Sequence, residues 1–206
     1  MHVVFRESRG LEETATPRDL GQDPADLVVL SFSDSDLAAF AAGWRRGRAA
    51  LPSLRLANLA ELRHPLSVDT YIERTLSHAR GILVRLIGGE PYWSYGLSAV
   101  HRLARERGIA LVVLPADGRD DLRLDEFSTL PVSTLRRLKV LCDKGGPVAA
   151  QAVIAQLALA SGLYPGPVVG EIDLPEIGVY DPRRGAVAVL PAPDGRPRAL
   201  VTFYRS

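Results

Sequence analysis

The stretch Leu54–Gly89, LRLANLAELRHPLSVDTYIERTLSHARGILVRLIGG, decides the fold class. It begins and ends in short apolar runs of strand length, Leu54–Ala57 and Ile82–Leu86. Between them Ser67–Ala79 reads as a helix. His64-Pro65 forces an extended residue before the proline, and Ser67 is a good N-cap. Val68, Ile72, Thr75 and Ala79 recur at helical spacing on one face, which predicts that they pack on a sheet. Asp69 and Glu73 lie in the first turns, near the positive end of the helix dipole. A strand, a crossing helix and a second strand imply parallel pairing through a right-handed crossover.

The same grammar repeats outward from this unit. Further strand candidates are Val3–Phe5, Leu27–Ser31 and Ile109–Leu114, and further helix candidates are Asp34–Arg48, Tyr92–Arg107 and Ser133–Leu141. Leu27–Ser31, Leu54–Ala57 and Ile109–Leu114 are rich in Val and Leu without clean alternation, as strands buried on both faces should be. Strand and helix in alternation predict an α/β fold with a doubly wound parallel sheet. Five strands suit the flavodoxin-like order 2-1-3-4-5. One connection resists this scheme: the polar segment Glu7–Asp26 stands where a helix is required and does not look like one. Arg45, Arg46 and Arg48 read as a positive helix C-terminus that offsets the dipole.

After Leu141 the pattern changes. Asp143–Gly146 is a turn, and Pro147–Leu163 is an Ala-rich helix, apolar on most sides and therefore buried, ended by Gly162. Tyr164–Asp181, with three prolines and several glycines, reads as linker or extended loop. The last residues allow two readings. Ala186–Leu190 and Ala199–Tyr204 flank an Asp194-Gly195 turn as a hairpin, or Leu200–Tyr204 opens another α/β unit. The expected division is an α/β domain over 1–144, a helix and linker over 145–182, and a strand or hairpin of a further, truncated domain over 183–206.

Composition narrows the function. The 206 residues carry 25 basic and 24 acidic side chains, a net charge of +1, without the basic excess of a nucleic-acid binder. Nothing approaches the ~18 uninterrupted apolar residues of a membrane span, the amino terminus does not read as a signal peptide, and the single cysteine, Cys142, forms no internal disulfide. The expected location is the cytoplasm.

No phosphate-loop or dinucleotide fingerprint occurs, and no Gly-x-Ser-x-Gly elbow. His2, His64, His78, His101 and Cys142 lie at spacings that match no metal-ligand motif, so no metal or catalytic residue is assigned within the chain. Asp117, Asp120, Asp121, Asp125 and Glu126 form an acidic loop after the Ile109–Leu114 strand, open to a cation or to solvent alone. Gly88-Gly89 sits where a switch-point loop approaches a ligand, or is a plain tight turn. Arg85 is a charge inside an otherwise apolar strand and needs a partner. With Gly88 and Gly89 it would receive an anionic group, or it pairs with Asp69 or Glu73 to fix helix to strand.

The block His64–Gly89 resembles the amino-terminal region of the large subunit of aerobic cobaltochelatase (CobN type), a family that includes the large subunit of magnesium chelatase. Supporting features are Asp19-Leu20-Gly21-Gln22, Pro24-Ala25-Asp26, Ala57-Asn58-Leu59, the Tyr92 region, Val113-Leu114-Pro115, Phe127-Ser128-Thr129 and the closing Leu200–Ser206. The resemblance implies a large subunit that binds tetrapyrrole and Co2+ and works with AAA+ and integrin-like partner subunits, on which ATP is hydrolysed. It further implies cobalt insertion into hydrogenobyrinic acid a,c-diamide, as a ligase of cobalamin biosynthesis. It puts the chelation site in later domains, so this chain alone is expected to be inactive, docking to the rest of its subunit. Arg85, Gly88, Gly89 and His64 are the residues expected to meet a ligand carboxylate. The other reading is a stand-alone flavodoxin-like module for a corrinoid or another small anion.

Overall fold

Strands β1 (Leu27–Ser31), β2 (Leu54–Asn58), β3 (Gly81–Leu86) and β4 (Ala110–Pro115) form one parallel sheet in the order β2-β1-β3-β4. The computed structural model describes residues 16–163, 179–181 and 185–187. Helices α1 (Asp34–Gly47), α2 (Pro65–Arg74), α3 (Ser94–Arg107), α4 (Val132–Lys144) and α5 (Gly146–Ala160) cover the two faces, and β5 (Val179–Asp181) pairs antiparallel with β6 (Gly185–Val187).

The pleat divides the core. Val28, Leu30, Ile82, Val84 and Leu86 point toward α2 and α3, where Val68, Tyr71, Leu97 and Val100 meet them. Leu27, Val29, Leu83, Val112 and Leu114 point the other way, toward Phe40 of α1, Leu135 and Leu138 of α4, and Val153 and Leu157 of α5. Sheet residues buried on both sides leave no polar face, which is why the strands read as apolar runs. This is the doubly wound, flavodoxin-like α/β class expected from the sequence.

Details of the pairing differ. Val3–Phe5 lies outside the described residues. The five-strand order placed it between Leu27–Ser31 and Leu54–Ala57, yet β1 pairs directly with β2, Leu27 opposite Leu54, and with β3, Leu27 opposite Gly81. The hairpin and terminal strand read in residues 186–206 lie, beyond Val187, outside the described residues, as does most of the linker at 164–178.

Of the polar segment before β1, the described part, residues 16–26, is a strap rather than a helix. The Gln22 amide Nε2 donates to the Leu56 carbonyl at 2.9 Å, its Oε1 accepts from the Tyr71 hydroxyl at 2.8 Å, and its carbonyl accepts from Thr75 Oγ1 at 2.9 Å. Arg18 N donates to Ser67 Oγ at 2.8 Å, and Arg55 Nε donates to the Asp23 carbonyl at 2.8 Å. These bonds tie the strap across α2 and the outer strand β2. They also move the start of α2. Its N-cap is His64, whose Nδ1 accepts from Leu66 N at 3.1 Å, with Pro65 in the first turn. Ser67, the expected cap, spends its hydroxyl on the strap.

At the opposite edge the chain returns along β4 without forming a strand. Thr129 N donates to the Leu111 carbonyl at 2.9 Å, Leu111 N to Thr129 Oγ1 at 2.8 Å, and Val113 N to Ser128 Oγ at 3.0 Å. Glycine sets one helix crossing. A Cβ on Gly43 of α1 would stand 2.6 Å from Gln151 N and 2.7 Å from the Pro147 carbonyl of α5, so the two backbones are in direct contact there.

Candidate functional site

The connections after β1 and β3 leave the sheet in opposite directions, which places the fold's ligand crevice at the carboxyl ends of these two strands. Ser31 ends β1. Its Oγ accepts from Ser33 N at 3.1 Å and donates to Asp36 Oδ2 at 3.1 Å. Ser33 caps α1 by accepting from Asp36 N at 3.2 Å. On β2, Asn58 Nδ2 donates to Asp34 Oδ1 at 2.7 Å, steadying the first turn of α1.

Arg85, opposite Ser31 on β3, turns its side chain toward α1, and Nε lies 3.0 Å from Asp36 Oδ2. The side chain is 5% exposed. The pair is close but poorly aligned, and Arg85 Nε and Nη1 make no hydrogen bond among the described residues. A void of about 10 Å3, lined by Asp36, Arg85, Cys142, Gly145 and Gly146, has room for one water beside it. Of the two sequence readings of Arg85, the pairing with Asp69 or Glu73 does not occur. Those residues belong to α2 on the other face of the sheet, and Asp69 accepts from the Tyr95 hydroxyl at 2.8 Å.

Burial works against the guanidinium's charge, but Cys142 and Asp36 outweigh it, so Arg85 keeps its proton above the ordinary arginine range. Burial pushes the Cys142 thiol up to about 11 despite the Arg85 charge beside it. At neutral pH the thiol is therefore uncharged, and Asp36 supplies the compensation. A thiol raised from 9.0 to about 11 carries about a hundredfold less thiolate at pH 8 than the same residue unfolded. Ellman's reagent at pH 8 is expected to label the native chain at least about a hundredfold more slowly than the urea-unfolded chain. Equal rates would contradict the burial. The folded state holds this proton more tightly, so the stability it lends is complete below pH 9 and is lost as pH rises toward 11.

Above this buried layer lies the rim. Gly88 and Gly89 have φ of +81° and +78°. The Tyr92 ring lies across Gly88, where a Cβ would meet its Cε2 at 2.4 Å, and the Asp121 carboxylate stands 2.9 Å from a Cβ placed on Gly89. Of the residues expected to meet a ligand, Gly88 and Gly89 therefore sit at the crevice mouth. Arg85 lies beneath it, against Asp36, and His64 caps α2, half-buried.

The acidic loop is largely matched by cations. Asp121 holds Arg123, Asp125 holds Arg136, and Lys139 lies 3.2 Å from Asp120 and 2.6 Å from Asp143. Among the described residues no group of three or more His, Cys, Asp or Glu side chains is placed to hold a metal ion. A larger open groove of about 500 Å3 lies at the other end of β4, lined by His101, Arg105, Glu126 and Thr129 among others. There His101 Nδ1 bonds the Phe127 carbonyl at 2.8 Å. No helix is long and apolar enough to cross a membrane among the described residues.

Sequence reasoning missed Asp36 and Gln22. Asp36 was visible as the third residue after a serine N-cap, and Gln22 stood inside a motif quoted only for resemblance.

No family model matches the chain. It is 40% identical over 146 residues to the aerobic cobaltochelatase subunit CobN of a Sinorhizobium species, covering 71% of this chain and 11% of that one. CobN of Pseudomonas aeruginosa is likewise 40% identical over 146 residues, 71% of this chain and 12% of its own. The catalytic subunit of cobaltochelatase from Mycobacterium tuberculosis superposes with a TM-score of 0.58 at 21% identity, over 76% of this chain and 12% of that one, which shows a shared fold. The chain thus spans little more than a tenth of the length of the relatives it matches.

Proposed function

Because this chain is a relative of one stretch of the aerobic cobaltochelatase subunit CobN, we propose that it serves as the amino-terminal domain of a CobN-type large subunit. The observation that carries this reading is the 40% identity over 146 residues, 71% of the chain. The domain is architectural. It docks on the remaining polypeptide of the large subunit and borders the path of a tetrapyrrole, hydrogenobyrinic acid a,c-diamide, into which Co2+ is inserted. ATP is hydrolysed on AAA+ and integrin-like partner subunits, in keeping with a sequence that has no phosphate-loop motif. Gly88, Gly89 and His64 form the edge offered to a substrate carboxylate, with Arg85, its charge matched by Asp36, buried behind them.

Replacing the matched region of a CobN subunit with that of this chain tests the reading. The chimera, with its partner subunits, ATP, Co2+ and hydrogenobyrinic acid a,c-diamide, is expected to insert cobalt within about tenfold of the parent rate, while the 206-residue chain alone inserts none. A folded chimera at background rate overturns the proposal. So does saturable tetrapyrrole binding by the isolated chain without activity in the chimera, which is the behaviour of a stand-alone binding module.

A further inference from the structure

Large apolar side chains left exposed are few, and most of them share one place. Eight are exposed among the described residues, and Val132, Val140 and Leu159 lie singly on α4 and α5. The other five, Leu66, Ile87, Tyr92, Tyr95 and Leu122, gather around the carboxyl edge of the sheet. Their places relative to one another can be traced. Leu66 stands one turn before Asp69 on α2, and Asp69 takes the Tyr95 hydroxyl at 2.8 Å. Tyr92, at the end of the short turn that precedes α3, lies across Gly88, the residue after Ile87. Gly89 touches Asp121, and Leu122 follows.

Two features mark this as a contact surface built in advance. Tyr95 is held by Asp69, and Tyr92 is seated where the missing Cβ of Gly88 lets its ring lie flat. Rigid tyrosines of this kind concentrate binding energy at protein interfaces, because little side-chain freedom remains to be lost. Tyr92 is 55% exposed and its hydroxyl makes no hydrogen bond among the described residues. Exposed apolar side chains clustered around such anchors mark an interaction site rather than ordinary surface.

The occupant follows from length. The CobN relatives devote 11% and 12% of their chain to the matched region, so each carries several times its mass of further polypeptide on the same chain. A tethered neighbour is present at high effective concentration and needs only a modest patch to stay seated. We infer that the Leu66–Ile87–Tyr92–Tyr95–Leu122 rim is the face that docks on the remainder of the large subunit, against an apolar surface with an acceptor for the Tyr92 hydroxyl. This rests on the CobN reading given above and adds to it which face is covered.

Hydroxyl-radical footprinting compares the full 206-residue chain with the same chimera. Tyr92 and Tyr95 are expected to be oxidised at least about fivefold more slowly in the chimera, and Leu159, on the far side, at an unchanged rate. A Tyr92→Asp exchange in the chimera is expected to restore the oxidation rate of Tyr95. An active chimera with fully reactive tyrosines overturns the docking face and leaves the family reading standing. An inactive chimera removes both. Slowing at Tyr92, Tyr95 and Leu159 alike reports general compaction and overturns the assignment of the face.

Discussion

Asp36→Ala is expected to destabilise the chain by about 3–5 kcal/mol, because it strips a buried cation of its ion-pair partner. Arg85 is 4% exposed in the centre of the sheet, and the carboxylate 3.0 Å away is its only charged partner within ion-pair distance among the described residues. The thiol of Cys142 stays neutral until far above physiological pH and cannot take over. The substitution also removes the acceptor of the Ser31 hydroxyl and a negative side chain from the first turn of α1. Urea unfolding followed by tryptophan fluorescence should show the midpoint falling by ~1.5–2.5 M for a slope near ~2 kcal/mol/M. The double variant Asp36→Ala with Arg85→Met separates the cause, since removing both charges and keeping the volume is nearly neutral for many buried pairs. A double variant as unstable as the single one would show that the damage is lost packing and not a stranded charge.

Gly43→Ala reverses an ordinary expectation. In an exposed helix interior this change gains about 1 kcal/mol, since glycine is the more flexible residue when unfolded. Here the new methyl group meets the α5 backbone at 2.6 and 2.7 Å, distances that real Cβ atoms do not tolerate. The obstruction is backbone, so no side chain can swing away, and α1 and α5 must separate. Overpacking of this kind costs about 1–3 kcal/mol, or a fall in Tm of ~2–12 °C for a domain of this size. Gly43→Val, larger and β-branched, should fall further. A thermal midpoint that rises with Gly43→Ala would show that the helices do not approach as described.

These two sites also mark where the sequence was readable. The four strands of the parallel sheet were placed to within a residue, Leu54–Ala57 against Leu54–Asn58 and Ile109–Leu114 against Ala110–Pro115, because burial on both faces writes itself as an apolar run. The Ala-rich helix and its ending at Gly162, with φ of +70°, were equally open. What could not be read was pairing across the fold. Arg85 announces that it needs a partner, but periodicity says nothing about which face of β3 it occupies. A one-residue change of parity exchanges Asp69 for Asp36. The strap was unreadable for a related reason. Gln22 acts through three bonds to residues 34 to 53 positions away, and no local pattern encodes such a reach.

The returning segment beside β4 bears on how the borders of this sheet are guarded. The open edge of a parallel sheet is a template, and any extended stretch of a neighbouring or nascent chain can add to it by β-augmentation. Ser128 and Thr129 occupy the β4 backbone groups with two hydroxyls and one main-chain amide, while Gln22 takes the Leu56 carbonyl on the other border. Part of each border is thus occupied by irregular contacts that a further strand could not copy. Among the described residues these contacts leave the sheet less open to the addition of a further strand.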